Sequence, residues 1–248
     1  MREKNYDDIV QGRNAVLELI NSDRDINKIY IQRGEKHGSI NELIKLAKNK
    51  KIVLVEVDKN KLDEISNGGN HQGIIAVVPP FNYSEVEDII DVAKEKNEEP
   101  FIVILDGIED PHNLGSIIRT AETAGVHGII IPKRRAVAVN STVSKVACGA
   151  IEHIKIARVN NLVETINKLK EKGIWIYGTE MNGEKEYYNE DLKGAIAIVI
   201  GNEGTGMSRI VRENCDVLLR IPMKGRTNSL NASVSAGIII YEALKQRW

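Results

Sequence analysis

Three turns rich in glycine and asparagine hold the residues of this chain whose types and spacing could do chemistry. The first starts at Asp106 and runs through Gly107, His112 and Asn113 to Arg119. Asn113 reads as a cap for the helix that follows, with Arg119 a turn and a half inside it. A guanidinium between Ile118 and Thr120 wants an anionic or carboxylate partner. The second turn, Gly201–Ser208 (GNEGTGMS), has the outer glycine spacing of a P-loop, but Met207 stands where the lysine must be. A dinucleotide fingerprint fails as well, because the glycine order is wrong and the strand comes late. What remains is a backbone nest that closely approaches a ligand, or a turn kept for its geometry. Glu203 lies within it, near a helix start.

The third stretch, Ile221–Gly237 (IPMKGRTNSLNASVSAG), leads small hydroxyl residues and two asparagines into an aliphatic helix. Asn228 or Ser229 reads as its cap. Ala232, Ser233, Ala236 and Gly237 are small enough to imply very close helix packing or a chain crossing. Basic clusters sit at the same kind of position: Lys224 and Arg226, Lys133-Arg134-Arg135, and Arg209 with Arg212. Each alone reads as a solvated face; together they could form a rim for phosphates. His112 and His127 show no metal-ligand spacing and read as structural or solvent-facing.

All three turns follow short aliphatic runs. Residues 101–106, 128–132, 173–178 and 195–201 lack polar alternation, which suits parallel strands covered by helices on both faces. In an open parallel sheet, ligands bind beyond the carboxyl ends of the strands. Helices are expected near 113–125, 142–149, 161–172, 207–213 and 229–244, with a further strand at 216–222. Residues 1–78 form a separate pattern: helices near 12–20 and 40–49, strands at 28–32, 51–57 and 73–78, and Asp58 as a possible cap for another helix. Two prolines open a stiff linker at 79–84. Ser84 and Glu87 have the spacing of a capping box. The expected organisation is a small α/β domain at 1–78, the linker, and a larger α/β domain at 85–248.

Composition narrows the class. The 248 residues are 42% hydrophobic and 28% charged with six prolines, which excludes a disordered chain. A net charge of -1 gives no global field for nucleic acid, so any such partner must be held by local clusters. Two cysteines, Cys148 and Cys215, cannot build a disulfide framework or a four-thiolate metal site. No apolar segment approaches a membrane span, the amino end lacks a signal-peptide pattern, and a cytoplasmic protein is expected.

The segments Asn113–Ala121 (NLGSIIRTA), Ile198–Ser208 (IVIGNEGTGMS) and Ile221–Gly237, in this order, closely resemble the three motifs of the SpoU/TrmH branch of the SPOUT RNA methyltransferases. The resemblance continues through Val146–Ala150 (VACGA) and Gly173–Thr179 (GIWIYGT). In the amino section, Gly12–Leu19 (GRNAVLEL) and His71–Ala76 (HQGIIA) resemble the RNA-binding domain of the RlmB-type 23S rRNA guanosine-2′-O-methyltransferases. The resemblance implies a carboxy-terminal SPOUT domain with a parallel sheet and a deep trefoil knot, a topology that is otherwise almost absent from proteins. It also implies a homodimer with active sites at the interface, no metal, and S-adenosylmethionine as cofactor. By the same resemblance, Gly178, Thr179, Glu180, Gly201, Ile221, Met223 and Leu230 would contact the cofactor. Asn113, Arg119, Glu203, Ser229 and Asn231 would form the catalytic site.

The implied reaction is attack of a guanosine ribose 2′-hydroxyl in 23S rRNA on an electrophilic methyl group. It needs alignment and electrostatic steering more than covalent catalysis. Arg119 suits a grip on the target phosphate better than a base, since a guanidinium does not give up its proton. A tRNA guanosine-2′-O-methyltransferase and a nonenzymatic RNA-binding or ribosome-assembly protein are the competing readings.

Overall fold

A computed structural model describes residues 9–22, 24–34, 39–226 and 229–248. Among these, the chain divides into two compact units: residues up to 82 with 139–153, and residues 83–138 with 154–248. Segment 139–153, expected within the larger domain, therefore clusters with the amino-terminal unit.

In the amino-terminal unit, β1 (Ile9–Gln11), β2 (Lys28–Gln32), β3 (Leu54–Val57) and β4 (Ile74–Val77) form a sheet ordered β1-β4-β2-β3. The β1/β4 and β4/β2 pairs are antiparallel and β2/β3 is parallel. The apolar stripe of α1 (Arg13–Asn21), at Ala15, Val16, Leu19 and Ile20, packs with Ile40, Leu43 and Ala47 of α2 (Ser39–Asn49) over one face. The other face packs Ile9, Tyr30 and Ile75 against Leu62 and Ile65 of α3 (Lys59–Ile65). Asp58 precedes α3 but its side chain makes no cap bond. The returning segment joins this unit by an Arg24–Glu152 ion pair at 3.1 Å, in which the Glu152 side chain is 5% exposed. Arg24 also lies 5.3 Å from the Phe81 ring centre. Bringing residues distant in sequence to one buried ion pair needs tertiary packing, which has no periodic signature in the sequence.

The second unit is built on a wholly parallel sheet. In chain order its strands are β5 (Phe101–Asp106), β6 (Gly128–Pro132), β7 (Lys155–Val159), β8 (Trp175–Thr179), β9 (Lys185–Glu186), β10 (Ile196–Gly201) and β11 (Val217–Arg220), ordered β7-β6-β5-β10-β8-β11-β9. Every pair is parallel, and the central strands β5, β6 and β10 are the near-continuous aliphatic runs that suit a sheet buried on both faces. Its helices are α4 (Val86–Glu95), α5 (Pro111–Thr123), α7 (Leu162–Glu171), α8 (Arg209–Glu213) and α9 (Ala232–Arg247), while α6 (Ser141–Val146) lies in the segment that clusters with the amino-terminal unit. One core joins Ile89 and Ile90 of α4, Leu162, Ile166 and Leu169 of α7, and Val211 of α8 to the strand residues Ile102, Ile104, Ala197 and Val199. Helices α5 and α9 pack on each other, and α9 on β10. None of the helices among the described residues is long and apolar enough to cross a membrane.

Helix starts differ in detail from expectation. Glu85, not Ser84, is the cap of α4, with Asp88 returning the capping-box bond to the Glu85 N–H at 2.8 Å. Asp110, not Asn113, caps α5 by accepting from the His112 N–H, and Pro111 occupies the first turn. Arg119 is consequently deeper in its helix than expected. Asn231, not Ser229, caps α9; Asn228 falls outside the described residues. In each case a second capping residue stood within three positions, and the one chosen depends on how the preceding loop is tied down. The small residues of α9 do not all mark close approach, since a Cβ on Gly237 would meet nothing nearer than Thr120 Cγ2 at 3.8 Å.

His127 is structural and buried. Its Nδ1 accepts from the Phe101 N–H at 2.9 Å and its Nε2 faces Glu98 at 3.0 Å. Burial pulls its pKa below the ordinary 6.5, outweighing the Glu98 carboxylate that raises it. The folded state thus holds a value below the unfolded one, so this contribution is complete above the unfolded pKa. It is lost as pH falls from there toward the folded value. Urea midpoints should therefore decline from pH 7.5 to 5.5, and His127→Gln should flatten that decline. A decline of equal slope in the variant would remove His127 as its source.

Candidate active site

The site is assembled where β5 and β10 end side by side, with Gly201 in register with Asp106. The sheet runs outward from this pair in both directions, so the crevice beyond it is where an open parallel sheet admits a ligand. Past β10 the chain folds back at once. The Asn202 N–H donates to Gly206 O at 3.1 Å and the Gly206 N–H to Asn202 O at 2.8 Å. The Asn202 side chain closes the loop, with Oδ1 accepting from Gly204 and Thr205 N–H groups and Nδ2 donating to Gly107 O at 2.8 Å. Asp106 Oδ2 accepts from the Ser208 N–H at 2.7 Å. A Cβ on Gly201 would lie 2.3 Å from Met207 N, so the fold-back tolerates only glycine there.

This platform places Glu203 opposite two amides. Asn113 Nδ2 donates to Glu203 Oε2 at 3.0 Å, and Asn231 Nδ2 donates to the same oxygen at 2.8 Å and to Asn113 Oδ1 at 2.9 Å. Asn231 Oδ1 meanwhile accepts from the N–H groups of Ser233 and Val234 and from the Ser233 hydroxyl. One residue from each of the three turns meets in a closed triangle, and Asn113 within it is buried.

Beside the triangle lies an open groove of about 230 Å³. Thr179, Glu180, Met181, Glu203, Leu219, Ile221, Met223, Ser229 and Leu230 form most of its wall. Thr179, Glu180, Ile221, Met223 and Leu230 thus line one groove, and Ser229 joins them. Gly178 and Gly201 do not line it. Both are instead packed against neighbouring chain, and a Cβ on Gly178 would strike Cys215 Sγ at 2.7 Å and Met207 Cε at 2.8 Å. Arg119 stands apart as an exposed residue of α5 that is absent from the groove wall. It lies six positions after Asn113, and at about 100° per residue the two side chains leave the helix roughly 120° apart.

The basic clusters divide. Arg209 pairs with Glu213 at 2.7 Å and Arg212 approaches Glu180 at 3.8 Å, so their charge is largely answered locally. Lys133, Arg134, Arg135, Lys224 and Arg226 are exposed. Asp106 and Asn202 are positioning residues that sequence reasoning passed over. The Asn in a Gly-Asn-Glu-Gly turn, able to bond its own backbone two residues on, was the available signal.

Comparison with known proteins agrees with this geometry. The SpoU rRNA Methylase family model matches residues 100–241, and a model for RNA 2′-O ribose methyltransferase substrate binding matches residues 9–84. YacO of Bacillus subtilis (strain 168), assigned to the TrmH family of tRNA/rRNA methyltransferases, is 48% identical over 240 residues, covering 97% of this chain and 96% of its own. Among solved structures, the SpoU methyltransferase AviRb from Streptomyces viridochromogenes, in complex with the cofactor AdoMet, matches with a TM-score of 0.81 at 25% identity, over 96% of this chain and 90% of that one. The A. aeolicus TrmH/SpoU tRNA modifying enzyme matches with a TM-score of 0.55 at 29% identity, over 65% of this chain and 83% of that one.

The chain belongs to the SpoU rRNA methylase family. It is an S-adenosylmethionine-dependent RNA 2′-O-methyltransferase. The groove suits that cofactor: Leu219, Ile221, Met223 and Leu230 offer apolar surface, while Glu180 and Glu203 offer carboxylates to a cationic sulfonium.

Asn231→Ala removes a helix cap and two sides of the triangle together, and should cost about 1–3 kcal/mol in denaturant unfolding. An unchanged midpoint would mean the triangle contributes nothing to stability. Burial, reinforced by Asp216, pushes the Cys215 thiol up to about 12, whereas Cys148 is exposed. Iodoacetamide at pH 8 should label Cys148 in the folded protein and Cys215 only after denaturation, as read by peptide mass spectrometry.

Proposed function

We propose that this enzyme methylates the ribose 2′-hydroxyl of a guanosine in 23S rRNA, acting as a homodimer. The observation that carries the site assignment is the triangle of Asn113, Glu203 and Asn231 at the edge of the groove. The rRNA reading is supported by the amino-terminal unit. It matches a substrate-binding model over residues 9–84, whereas the tRNA modifying enzyme corresponds to only 65% of this chain. The parts of family membership that go with this reading include the knotted crossing of the chain and an amino-terminal domain, residues 1–78, that selects the RNA.

S-adenosylmethionine supplies an electrophilic methyl group on a sulfonium that is already a good leaving group. The chain's own residues then have to align and polarise. Glu203, held by two amide donors, fixes Asn113 and Asn231 at one corner of the site. Ser229 brings a hydroxyl to the groove wall, and Thr179 and Glu180 close its other side. Gly178 and Gly201 serve the cofactor indirectly, by letting the strands beneath the groove pack without side chains. Arg119 grips the phosphate next to the reacting ribose. Since it stands off the groove of its own chain, it is assigned to the site of the second copy.

Incubation with labelled S-adenosylmethionine and separated rRNA and tRNA tests the substrate. Label should enter 23S rRNA at a guanosine; label in tRNA alone would favour the competing enzyme, and label in neither would refute both. Arg119→Ala should depress turnover far more than cofactor affinity. Mixed dimers of Arg119→Ala and Glu203→Ala chains should regain about a quarter of wild-type activity if the arginine acts across a two-fold interface, and none if it acts within its own chain. Neutralising Lys133, Arg134 and Arg135 should weaken RNA binding and lower its salt slope by about 0.7 per lost single-strand phosphate contact.

A further inference from the structure

The amino-terminal unit contains a second cavity, of about 450 Å³, well away in sequence from the three motif turns. Arg13, Arg33, Lys59, Asp63, His71 and Gln72 contribute polar groups to its wall. The positive charge of Arg13, Arg33 and Lys59 exceeds the single carboxylate of Asp63. Part of it is answered at the rim, where Arg33 lies 3.5 Å from the exposed Asp58.

The wall is built with unusual care for a surface loop. His71 is buried, its Nδ1 accepts from the Gly73 N–H at 3.0 Å, and its Nε2 therefore carries the proton and donates to Asp63 Oδ1 at 3.0 Å. The Asp63 carboxylate is thereby held in one orientation while remaining half-exposed. Gln72 is held at φ 51, with its side-chain oxygen on the Arg13 N–H at 3.0 Å and its carbonyl on Arg13 Nε at 3.2 Å. That pins the guanidinium at the start of α1. An independent feature sits behind Gly69, another wall residue. Gln11 is only 7% exposed and its Oε1 has no hydrogen-bond partner, yet it lies 2.5 Å from where a Cβ of Gly69 would be. The wall at residue 69 can pass this close to Gln11 only because it is glycine.

We propose that this cavity receives one unpaired guanine nucleotide of the substrate RNA, with its phosphate against Arg13 and Lys59 and its base edge toward Asp63. The proposal rests on the RNA-methyltransferase reading above and adds the recognition element. Unpaired bases can be read on their Watson–Crick edge, which paired ones hide. Guanine is the base that presents two adjacent donors there, N1–H and the N2 amine, and an oriented carboxylate accepts both. Adenine and cytosine pair one donor with an acceptor, and uracil flanks its donor with two acceptors, so each would set an acceptor against Asp63.

The test uses the full-length protein and whichever RNA takes label from S-adenosylmethionine, with inosine replacing single unpaired guanosines to delete the N2 amine. At one position inosine should weaken wild-type binding about 5–150-fold, and the same replacement should have little further effect on Asp63→Asn. Affinity for S-adenosylmethionine should be unchanged in that variant, which separates the cavity from the methyl-transfer groove. Lys59→Ala, an exposed change outside the His71–Asp63 contact, should weaken all RNAs alike and lower the salt slope. If inosine and Asp63→Asn lose affinity independently at every unpaired guanosine, or if neither variant affects RNA binding, the cavity is not a base site although methylation persists. A wild-type protein that labels no RNA overturns both the enzymatic reading and this one.

Discussion

The Asn231 side-chain amide is the interaction on which the site depends. Its nitrogen spends two donors on Asn113 and Glu203, and its oxygen caps α9, so one residue ties a helix start to two other loops. Each partner is in turn committed: Asn113 both donates and accepts within the triangle, and Glu203 Oε2 accepts twice. Moving any one turn would strand polar groups on the other two. Of the three, Asn113 is the buried one, and orphaning a buried amide costs about 1–3 kcal/mol. The three turns therefore act as one rigid corner.

That corner needs a firm base, and the base is backbone. Gly201 lets the chain reverse against Met207 with no side chain between, Asn202 ties the reversed loop to Gly107, and Asp106 holds the start of α8 through Ser208. The aliphatic side chains of the strands below carry no polar atoms, and the backbone groups of β10 are paired with β5 and β8, so β10 is buried along its whole length. At the opposite end of the sheet, Arg247 of α9 lies over the Phe101 ring and bonds the carbonyls of Leu192 and Glu99. Helix α9 is thus fixed at both ends, by a cap at the site and by a guanidinium far from it.

The two units use polar groups differently. In the second, the triangle orders loops around a groove. In the first, the Arg24–Glu152 pair seats the returning segment, and the His71–Asp63 contact orders the wall of a cavity. A parallel sheet with long crossovers leaves its chemistry at one edge, whereas a small mixed sheet offers only its loops for recognition.

The strands FIVILD and GIIIP were legible to the residue because uninterrupted aliphatic runs suit only a sheet buried on both faces. Asn113, Glu203, Ser229 and Asn231 were singled out by their resemblance to the family motifs, since their own setting in glycine-rich turns reads equally as helix caps or turn geometry. Short strands at 9–11, 155–159 and 185–186 escaped notice because two to five residues of mixed character carry no period. Local sequence determined which segments would be strands and helices, through hydrophobic period and backbone propensity. Only the tertiary structure decided which of several neighbouring polar residues became caps and that residues 139–153 cluster with the amino-terminal unit. The caps turn on which of several equally suitable neighbours closes a local hydrogen bond, and the clustering on contacts such as Arg24–Glu152 between residues far apart in the chain, neither of which the linear order reveals.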